Sequence, residues 1–284
     1  MNRTAALLLL LLPGVGFLVL FFGLPLALAF LASVGLGALG DSNGFTLEHY
    51  RSLFTDSVYR DGLLFSIYIS VAPTLVSLVI SVPLAVLLQE SFPGKRLFQT
   101  LYKIPLVVPA IVAAFIVMTL FDRGGEIPRL LQPLNLQLPK LVRDPWALGV
   151  IIATAWKSIP FMTLIIGGSV AAIPHDLKHA ARTLGGNRLT VFCRVELPLA
   201  LPGITAATLL VFVGTTGAFA VPSLLGPIYP KPLSIWMYQN ALEKNDWASA
   251  SAMGIMLSIV ACLVLVIYYR ITSGMRTGIS GETR

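Results

Sequence analysis

Long apolar runs separated by short polar clusters dominate this chain. Five stretches contain no Asp, Glu, Lys or Arg: residues 4–40, 62–89, 104–121, 197–230 and 247–269. A sixth, residues 146–173, is interrupted only by Lys157. A helix needs about 20 mainly apolar residues to cross a bilayer, and each stretch can supply such a helix. We therefore predict six membrane-spanning helices, at residues 8–33, 63–88, 100–121, 146–172, 202–224 and 247–269.

The composition agrees with a membrane protein. Of the 284 residues, 56% are hydrophobic and 12% are charged, whereas about a quarter of the residues of a soluble protein are charged. The predicted fold class is therefore an all-α, polytopic membrane protein. Arg3 before a leucine run resembles a secretory signal peptide, but the apolar stretch is longer than the usual core of about 7–15 residues, so we expect an uncleaved anchor.

The distribution of Lys and Arg predicts the orientation. Six spans place both termini on one side, and that side carries ten Lys and Arg residues against eight on the other. Because cytoplasmic loops are enriched in these residues, we expect both termini in the cytoplasm. The net charge of +7 follows from this topology without nucleic-acid binding.

The loop between the fourth and fifth predicted spans, residues 173–203, is the most polar one on the cytoplasmic side. It reads IPHDLKHAARTLGGNRLTVFCRVELPLALPG. Pro174 ends the preceding helix, because the residue before a proline avoids the helical region. Asp176 is predicted to cap a new helix, and Gly185 with Gly186 to end it through a positive φ. We therefore predict a short helix at residues 176–186.

This short helix is amphipathic. One face carries small and aliphatic side chains at the i, i+3, i+4 and i+7 spacing: Leu177, Ala180, Ala181 and Leu184. Lys178 and Arg182 lie on another face. Taken alone, the pattern fits a helix that docks against another protein as well as one that lies on lipid headgroups.

The wider motif resembles a known family. Ala180-Ala181 are followed after three residues by Gly185 and after nine more by Val195-Glu196-Leu197-Pro198. This spacing resembles the E-A-A, G, I-x-L-P pattern of the permeases of binding-protein-dependent ABC importers with the type I fold, and Phe192, Pro202 and Gly203 fit its extended form. Residues 245–256 are similar to the spermidine/putrescine branch. His179 replaces the glutamate of the motif, so the ion pair of that glutamate cannot form here.

The resemblance implies an assembly and a division of labour. In that family the short helix is the coupling helix, which docks into a cleft of the ATP-hydrolysing subunit. The positions that would meet that subunit are Leu177, His179, Ala180, Ala181, Arg182, Leu184 and Gly185. The expected partners are a second permease subunit, two ATP-binding subunits and a periplasmic substrate-binding protein.

The chain is expected to have no catalytic residue, cofactor or metal of its own. It has no G-x-x-x-x-G-K-[ST] phosphate-binding loop, so ATP is expected on the partner subunits. His175 and His179 are spaced for a metal, but only Asp176 stands near them as a third ligand, so a solvated face is favoured. The expected domain bounds are 1–61 for the first helix and outer loop, 62–270 for the permease domain, and 271–284 for a cytoplasmic tail.

The polar residues within the spans are the substrate-path candidates. They are Lys157, Thr154, Ser158, Thr215 and Thr216. Because a lysine is costly at mid-membrane, Lys157 should face protein, water or a solute. It either contacts an anionic or hydroxylated solute, or caps carbonyls near Pro160 or pairs with the second permease. Gly214 and Gly217 are expected to permit close helix packing beside the threonines.

The sequence is compatible with two classes of substrate. The resemblance implies a polyamine first, yet a polyamine site needs carboxylates and no acid lies deep in a predicted span, so an organic anion or phosphonate is an alternative. A secondary transporter driven by an ion gradient is the rival class. It would require membrane-embedded acids, and it leaves the 173–203 loop without a purpose.

Overall fold

The computed structural model describes residues 3–37, 44–136 and 139–280. All regular structure in these ranges is helical, which confirms the predicted all-α class. Five segments are long and apolar enough to cross a membrane, and one bent pair of helices could form a sixth span. The five are Leu10–Ser33, Ser57–Leu87, Leu148–Ala171, Arg188–Thr216 and Trp247–Arg270, and the bent pair is Lys95–Val107 with Ala110–Leu134.

The described residues form fifteen α-helices. In chain order they are α1 (Arg3–Leu18), α2 (Leu24–Ser33), α3 (Glu48–Thr55), α4 (Ser57–Leu87), α5 (Lys95–Leu101), α6 (Ile104–Val107), α7 (Ala110–Phe121), α8 (Glu126–Leu131), α9 (Leu148–Ala171), α10 (His175–Thr183), α11 (Arg188–Val191), α12 (Leu197–Thr216), α13 (Ala220–Leu225), α14 (Leu233–Tyr238) and α15 (Trp247–Ser280). The π turns Val19–Gly23 and Phe192–Glu196 join α1 to α2 and α11 to α12, and a third, Gln239–Glu243, follows α14.

The prediction of one uninterrupted helix at residues 100–121 is wrong. The chain bends by 105° between α6 and α7, because Val108 is extended, with ψ 123°, and Pro109 precedes the first residue of α7. A residue before proline avoids the helical region, and proline has no N–H with which to continue the helix. Pro73, Pro83 and Pro160 lie inside continuous helices.

The predicted fifth span, residues 202–224, is displaced. Helical structure runs from Arg188 to Thr216, so half of the predicted loop 173–203 belongs to this helix. A π turn, Phe192–Glu196, lies within this helix just before Pro198. The Leu197 N–H donates to the carbonyl of Phe192, five residues back. The helix ends at Gly217, and α13 follows as a separate short helix.

Helices α4 and α9 lie side by side and run in the same direction. Four side chains of α4 and its C-terminal end donate to carbonyls at a constant separation of 78 residues: Tyr68 to Trp146, Ser77 to Ala155, Ser81 to Ile159 and Gln89 to Gly167. A constant separation requires parallel chains. The segment between two parallel spans must return across the membrane, and the bent pair supplies that crossing.

Two compact units can be distinguished. The first comprises residues up to Leu63 together with Leu233–Ile259, and the second comprises Leu64–Pro232 and the chain from Val260 onward. In the first unit Leu53 of α3, Leu233 and Met253 are almost fully buried. Hydrogen bonds join His49 to Ser249, at 3.1 Å, and Ser33 to Tyr50, at 2.7 Å.

The second unit contains two apolar clusters. One is built on α4, α7, α9 and α13 and includes Ile69, Val150 and Leu225; the other is built on α4, α9 and α12 and includes Met162 and Ile166. A row of small hydroxyl side chains on α4 lies buried between them: Ser66, Ser70, Thr74, Ser77 and Ser81. Small residues allow helix backbones to approach closely, and their hydroxyls bond to carbonyls where no water is present.

Candidate coupling site and transport path

Helix α10 begins one residue earlier than predicted. Pro174 is extended, with ψ 133°, and the helix starts at His175. The prediction that Asp176 caps the helix is wrong, because no side chain caps this end and Asp176 lies within the first turn. A carboxylate there still favours the positive end of the helix dipole.

The C-terminal end of α10 forms a Schellman motif. The Gly186 N–H donates to the carbonyl of Ala181, and the Gly185 N–H donates to that of Arg182, both at 3.0 Å. Gly185 has φ +85°, which confirms the predicted positive-φ stop. A Cβ atom on Gly186 would lie 2.6 Å from the Ala181 carbonyl oxygen, so both glycines are required.

Asn187 is the N-cap of the next helix, α11, and we did not predict it. The Asn187 side chain accepts hydrogen bonds from the backbone N–H and the hydroxyl of Thr190, both at 2.8 Å. Asn is among the residues most favoured at an N-cap, so the Asn-x-x-Thr spacing was the available signal. The cap fixes the angle at which the chain leaves α10.

The predicted contact face of α10 is exposed in this chain. Leu184 is 89% exposed and Leu177 is 46% exposed, and Ala180, His179 and Arg182 are also exposed, whereas Ala181 is half-buried. Leu177 and Leu184 are seven residues apart, so they form an apolar strip on α10 that the described part of the chain leaves largely uncovered. This face is therefore available to another surface.

Lys178 and Arg182, predicted to share a polar face, have different surroundings. The Lys178 ammonium lies 2.7 Å from a carboxylate oxygen of Glu196, and the two side chains are only 12% and 11% exposed. Glu196 belongs to the π turn that leads into α12, so this ion pair joins α10 to the long segment Arg188–Thr216. Arg182 points to a cleft of about 840 Å³, whose apolar wall includes Pro83 and Leu87 of α4.

A second ion pair holds the same end of the bundle. The Arg188 guanidinium lies 2.6 Å from a carboxylate oxygen of Glu90, just beyond the end of α4. Its side chains are 69% and 43% exposed. Solvent screens this pair, so removing one of its partners should cost less than removing Lys178 or Glu196 from the enclosed pair.

Lys157 lies at the bend of the third span. Its ammonium donates to the backbone carbonyls of Pro105 and Val108, on either side of the α6 terminus. Capping of carbonyls near Pro160 was one of the roles predicted for Lys157; the bonded carbonyls instead belong to the break at Pro109. Thr154 and Ser158 are half-buried on the same helix, α9.

The two threonines of α12 are buried and turned toward backbone. Both hydroxyls donate to the Phe212 carbonyl at 2.9 Å, and Thr215 also approaches the Ser70 carbonyl at 3.4 Å. The prediction of close packing at Gly214 and Gly217 is wrong within the described chain, since an added Cβ there would meet no atom within 4 Å. The close approach in α12 is at Gly203, where a Cβ would lie 2.3 Å from that of Ser169.

The long apolar helices, with the short exposed helix α10 between two of them, agree with the permease class that the 173–203 motif resembles. The chain belongs to the family described as "Binding-protein-dependent transport system inner membrane component", which matches residues 77–277. It is therefore the permease component of a binding-protein-dependent ABC importer and a multi-pass protein of the inner membrane. This assignment excludes the alternative class, a secondary transporter driven by an ion gradient.

Relatives and solved structures agree with this assignment. The chain is 30% identical, over 90% of its length and 94% of the relative, to the spermidine/putrescine transport system permease protein PotB of Escherichia coli strain K12. It is 29% identical to the molybdenum transport system permease protein ModB of Mycobacterium tuberculosis strain H37Rv, over 83% of its length and 86% of the relative. A bacterial ABC transporter that imports the acidic polysaccharide alginate shares the fold, with TM-score 0.82 at 19% identity over 96% of both chains.

Proposed function

We propose that this chain forms half of the translocation path of an ATP-driven importer, with α10 as the helix that receives the motion of the ATPase. Its partners would be a second permease subunit, two ATP-binding subunits and a periplasmic substrate-binding protein. Closure of the ATPases would move α10 and switch the permease between outward- and inward-open packings. The exposed apolar face of α10, joined to α12 by Lys178 and Glu196, is the observation that carries this proposal.

A bulky residue in the contact face tests the docking role. Ala181→Trp would prevent close approach by the ATPase while leaving the membrane helices intact, so the importer should lose ATP-driven uptake and co-purify with less ATPase subunit. Ala172→Trp is the control, because it adds the same bulk to an exposed alanine at the end of α9, outside the contact face. Normal uptake and ATPase recovery with Ala181→Trp would refute the docking role.

The orientation is a proposal with its own experiment. We place both termini and α10 in the cytoplasm, because Lys and Arg are more numerous on that side. In a chain with Cys193 and Cys262 replaced by Ser, Arg182→Cys would react with a membrane-impermeant thiol reagent in inside-out vesicles. Labelling in intact spheroplasts would place α10 in the periplasm and refute the coupling role as well.

For the substrate we propose a polyamine-type organic cation. The PotB relative, with 30% identity over most of both chains, supports this class. Lys157 could have contacted an anionic solute, but its ammonium is bonded to backbone carbonyls, so the missing membrane-embedded acids are the remaining argument for an anion. The ModB relative keeps a small anion as the second candidate.

The two substrate classes have opposite charge, so uptake by the importer and ligand binding by its binding protein distinguish them. The complete importer, reconstituted with its binding protein, would take up labelled spermidine or putrescine in an ATP-dependent manner. Calorimetry on the binding protein should give heat with the polyamine and none with molybdate or an alkylphosphonate. The reverse pattern would exclude the polyamine and leave the importer assignment unchanged.

A further inference from the structure

The bend in the third span creates a hydrogen-bonding deficit. In a straight helix the residue at position 109 would donate its N–H to the Pro105 carbonyl, but Pro109 has no N–H. The Val108 carbonyl also lies outside the helical ladder, because the first bond of α7 runs from Ala113 to Pro109. In a bilayer, unpaired carbonyls are costly, since no water is present to satisfy them.

Lys157 meets this deficit from the neighbouring helix. Its ammonium donates to the two carbonyls that the break leaves outside the helical ladder, those of Pro105 and Val108. The C-terminal end of a helix also carries partial negative charge, which favours a cation there. The residue thus satisfies the backbone and the electrostatics of the bend with one group.

Helix α9, which carries Lys157, holds the position of this lysine. Helix α9 is continuous from Leu148 to Ala171. Ala153, before Lys157, belongs to one apolar cluster of the second unit, and Met162, after it, belongs to the other. The lysine therefore projects from a helix that is held on both sides.

We infer that Lys157 is a positioning residue that fixes the 105° bend between α6 and α7, and so sets the course of the third span. On this assignment its charge recognises the permease's own backbone, and the solute meets other groups. In the sequence, Lys157 within an apolar span suggests an anion site; on this assignment it instead holds the bend of a membrane helix.

Distances across the bend test this inference independently of transport. Spin labels at Leu97→Cys and Thr119→Cys, in a complex whose Cys193 and Cys262 are Ser, report the angle between the two arms. Lys157→Met should shift or broaden the distance distribution, and Lys157→Arg, which also donates to two carbonyls, should restore it. Lys103→Met is the matched control, because Lys103 is an exposed lysine of the same bent pair.

A double-mutant cycle with Pro109 gives the second readout. Ala at position 109 has the N–H that proline lacks, so Lys157→Met should harm the Pro109→Ala protein less than the parent. We expect uptake to fall about tenfold in Lys157→Met, as for the loss of a partner to a buried acceptor, and by clearly less in the double variant. If Lys157→Met fails to accumulate, recovery of accumulation by Pro109→Ala replaces uptake as the readout.

Two results would contradict the positioning role of Lys157, and a third would assign the lysine to the substrate instead. Unchanged distances in Lys157→Met, or effects of Lys157→Met and Pro109→Ala that simply add, would overturn the positioning role. A Lys157→Met importer with an intact bend and an altered KM for the solute would show that the lysine contacts the substrate. Uptake rests on the proposed function, but the distance measurement does not, so a failed transport assay leaves the test of the bend intact.

Discussion

Lys178 and Glu196 form an enclosed ion pair, 2.7 Å apart, between the short exposed helix α10 and the turn that leads into α12. A short exposed helix has few anchors to its neighbours. Water barely reaches this pair, so under the coupling role proposed above it would transmit a displacement of α10 to the segment Arg188–Thr216.

Breaking this pair should uncouple the importer. Removing one partner of a buried ion pair costs about 3–5 kcal/mol, because the other charge is left without compensation. Lys178→Met is expected to leave ATPase binding in place and to reduce uptake per ATP hydrolysed. The ratio of uptake to hydrolysis in proteoliposomes is the measurement.

The control for this prediction is the exposed pair of Arg188 and Glu90. Arg188→Met should change stability by about 1 kcal/mol or less. The exchanged variant Lys178→Glu with Glu196→Lys should recover part of the coupling. Full coupling in Lys178→Met would show that the pair transmits nothing.

Gly185 should resist replacement more than an ordinary helix glycine. Its φ of +85° costs an L-residue about 1–2 kcal/mol, so Gly185→Ala should fray the end of α10 and lower the recovery of ATPase with the permease. Gly168→Ala is the control, since Gly168 lies within α9 and an added Cβ meets no atom within 4 Å. Equal recovery from both variants would contradict the role of the Schellman end.

Gly203 should be essential for the packing of α12 on α9. An added Cβ would lie 2.3 Å from the Cβ of Ser169, so Gly203→Ala forces the two helices apart. Overpacking typically costs about 1–3 kcal/mol, and the melting temperature of the detergent-solubilised complex should fall. Gly214→Ala in the same helix has open space around it and should not lower the melting temperature.

Asp144 should stabilise the start of α9. Its carboxylate accepts hydrogen bonds from the backbone N–H groups of Trp146, at 3.1 Å, and Leu148, at 3.0 Å, and the residue is almost fully buried. Asp144→Ala should cost about 1–2 kcal/mol, as for the loss of a helix cap. Asp144→Asn keeps an acceptor oxygen and should melt close to the parent; an equal loss in both variants would mean that the negative charge, not the cap, matters.

The apolar runs predicted the fold class and most of the spans. They did so because lipid demands long apolar helices, which leave an unambiguous pattern in the sequence. The end of α10 was also predictable, since only glycine adopts the φ at Gly185 without strain. The motif spacing then identified the family.

The remaining features depend on contacts between distant residues. Hydropathy averages over Pro109 and cannot tell a bent pair from a straight helix, although Val108-Pro109 was a local warning. The pairing of Lys178 with Glu196, and of Lys157 with the carbonyls of Val108 and Pro105, requires the relative position of separate helices. The hydroxyl row on α4 was visible as small residues at helical spacing, but its burial follows only from the parallel course of α4 and α9.

The segment Arg188–Thr216 is longer than an upright crossing of the bilayer requires. At 1.5 Å per residue, its 29 residues extend about 44 Å, whereas the hydrocarbon layer is about 30 Å thick. The excess of roughly 14 Å must be taken up by a tilt of the helix or by a part that extends beyond the acyl chains. Under the coupling role proposed above, an ATPase docked on α10 would reach this long helix through Glu196, which lies in its first third.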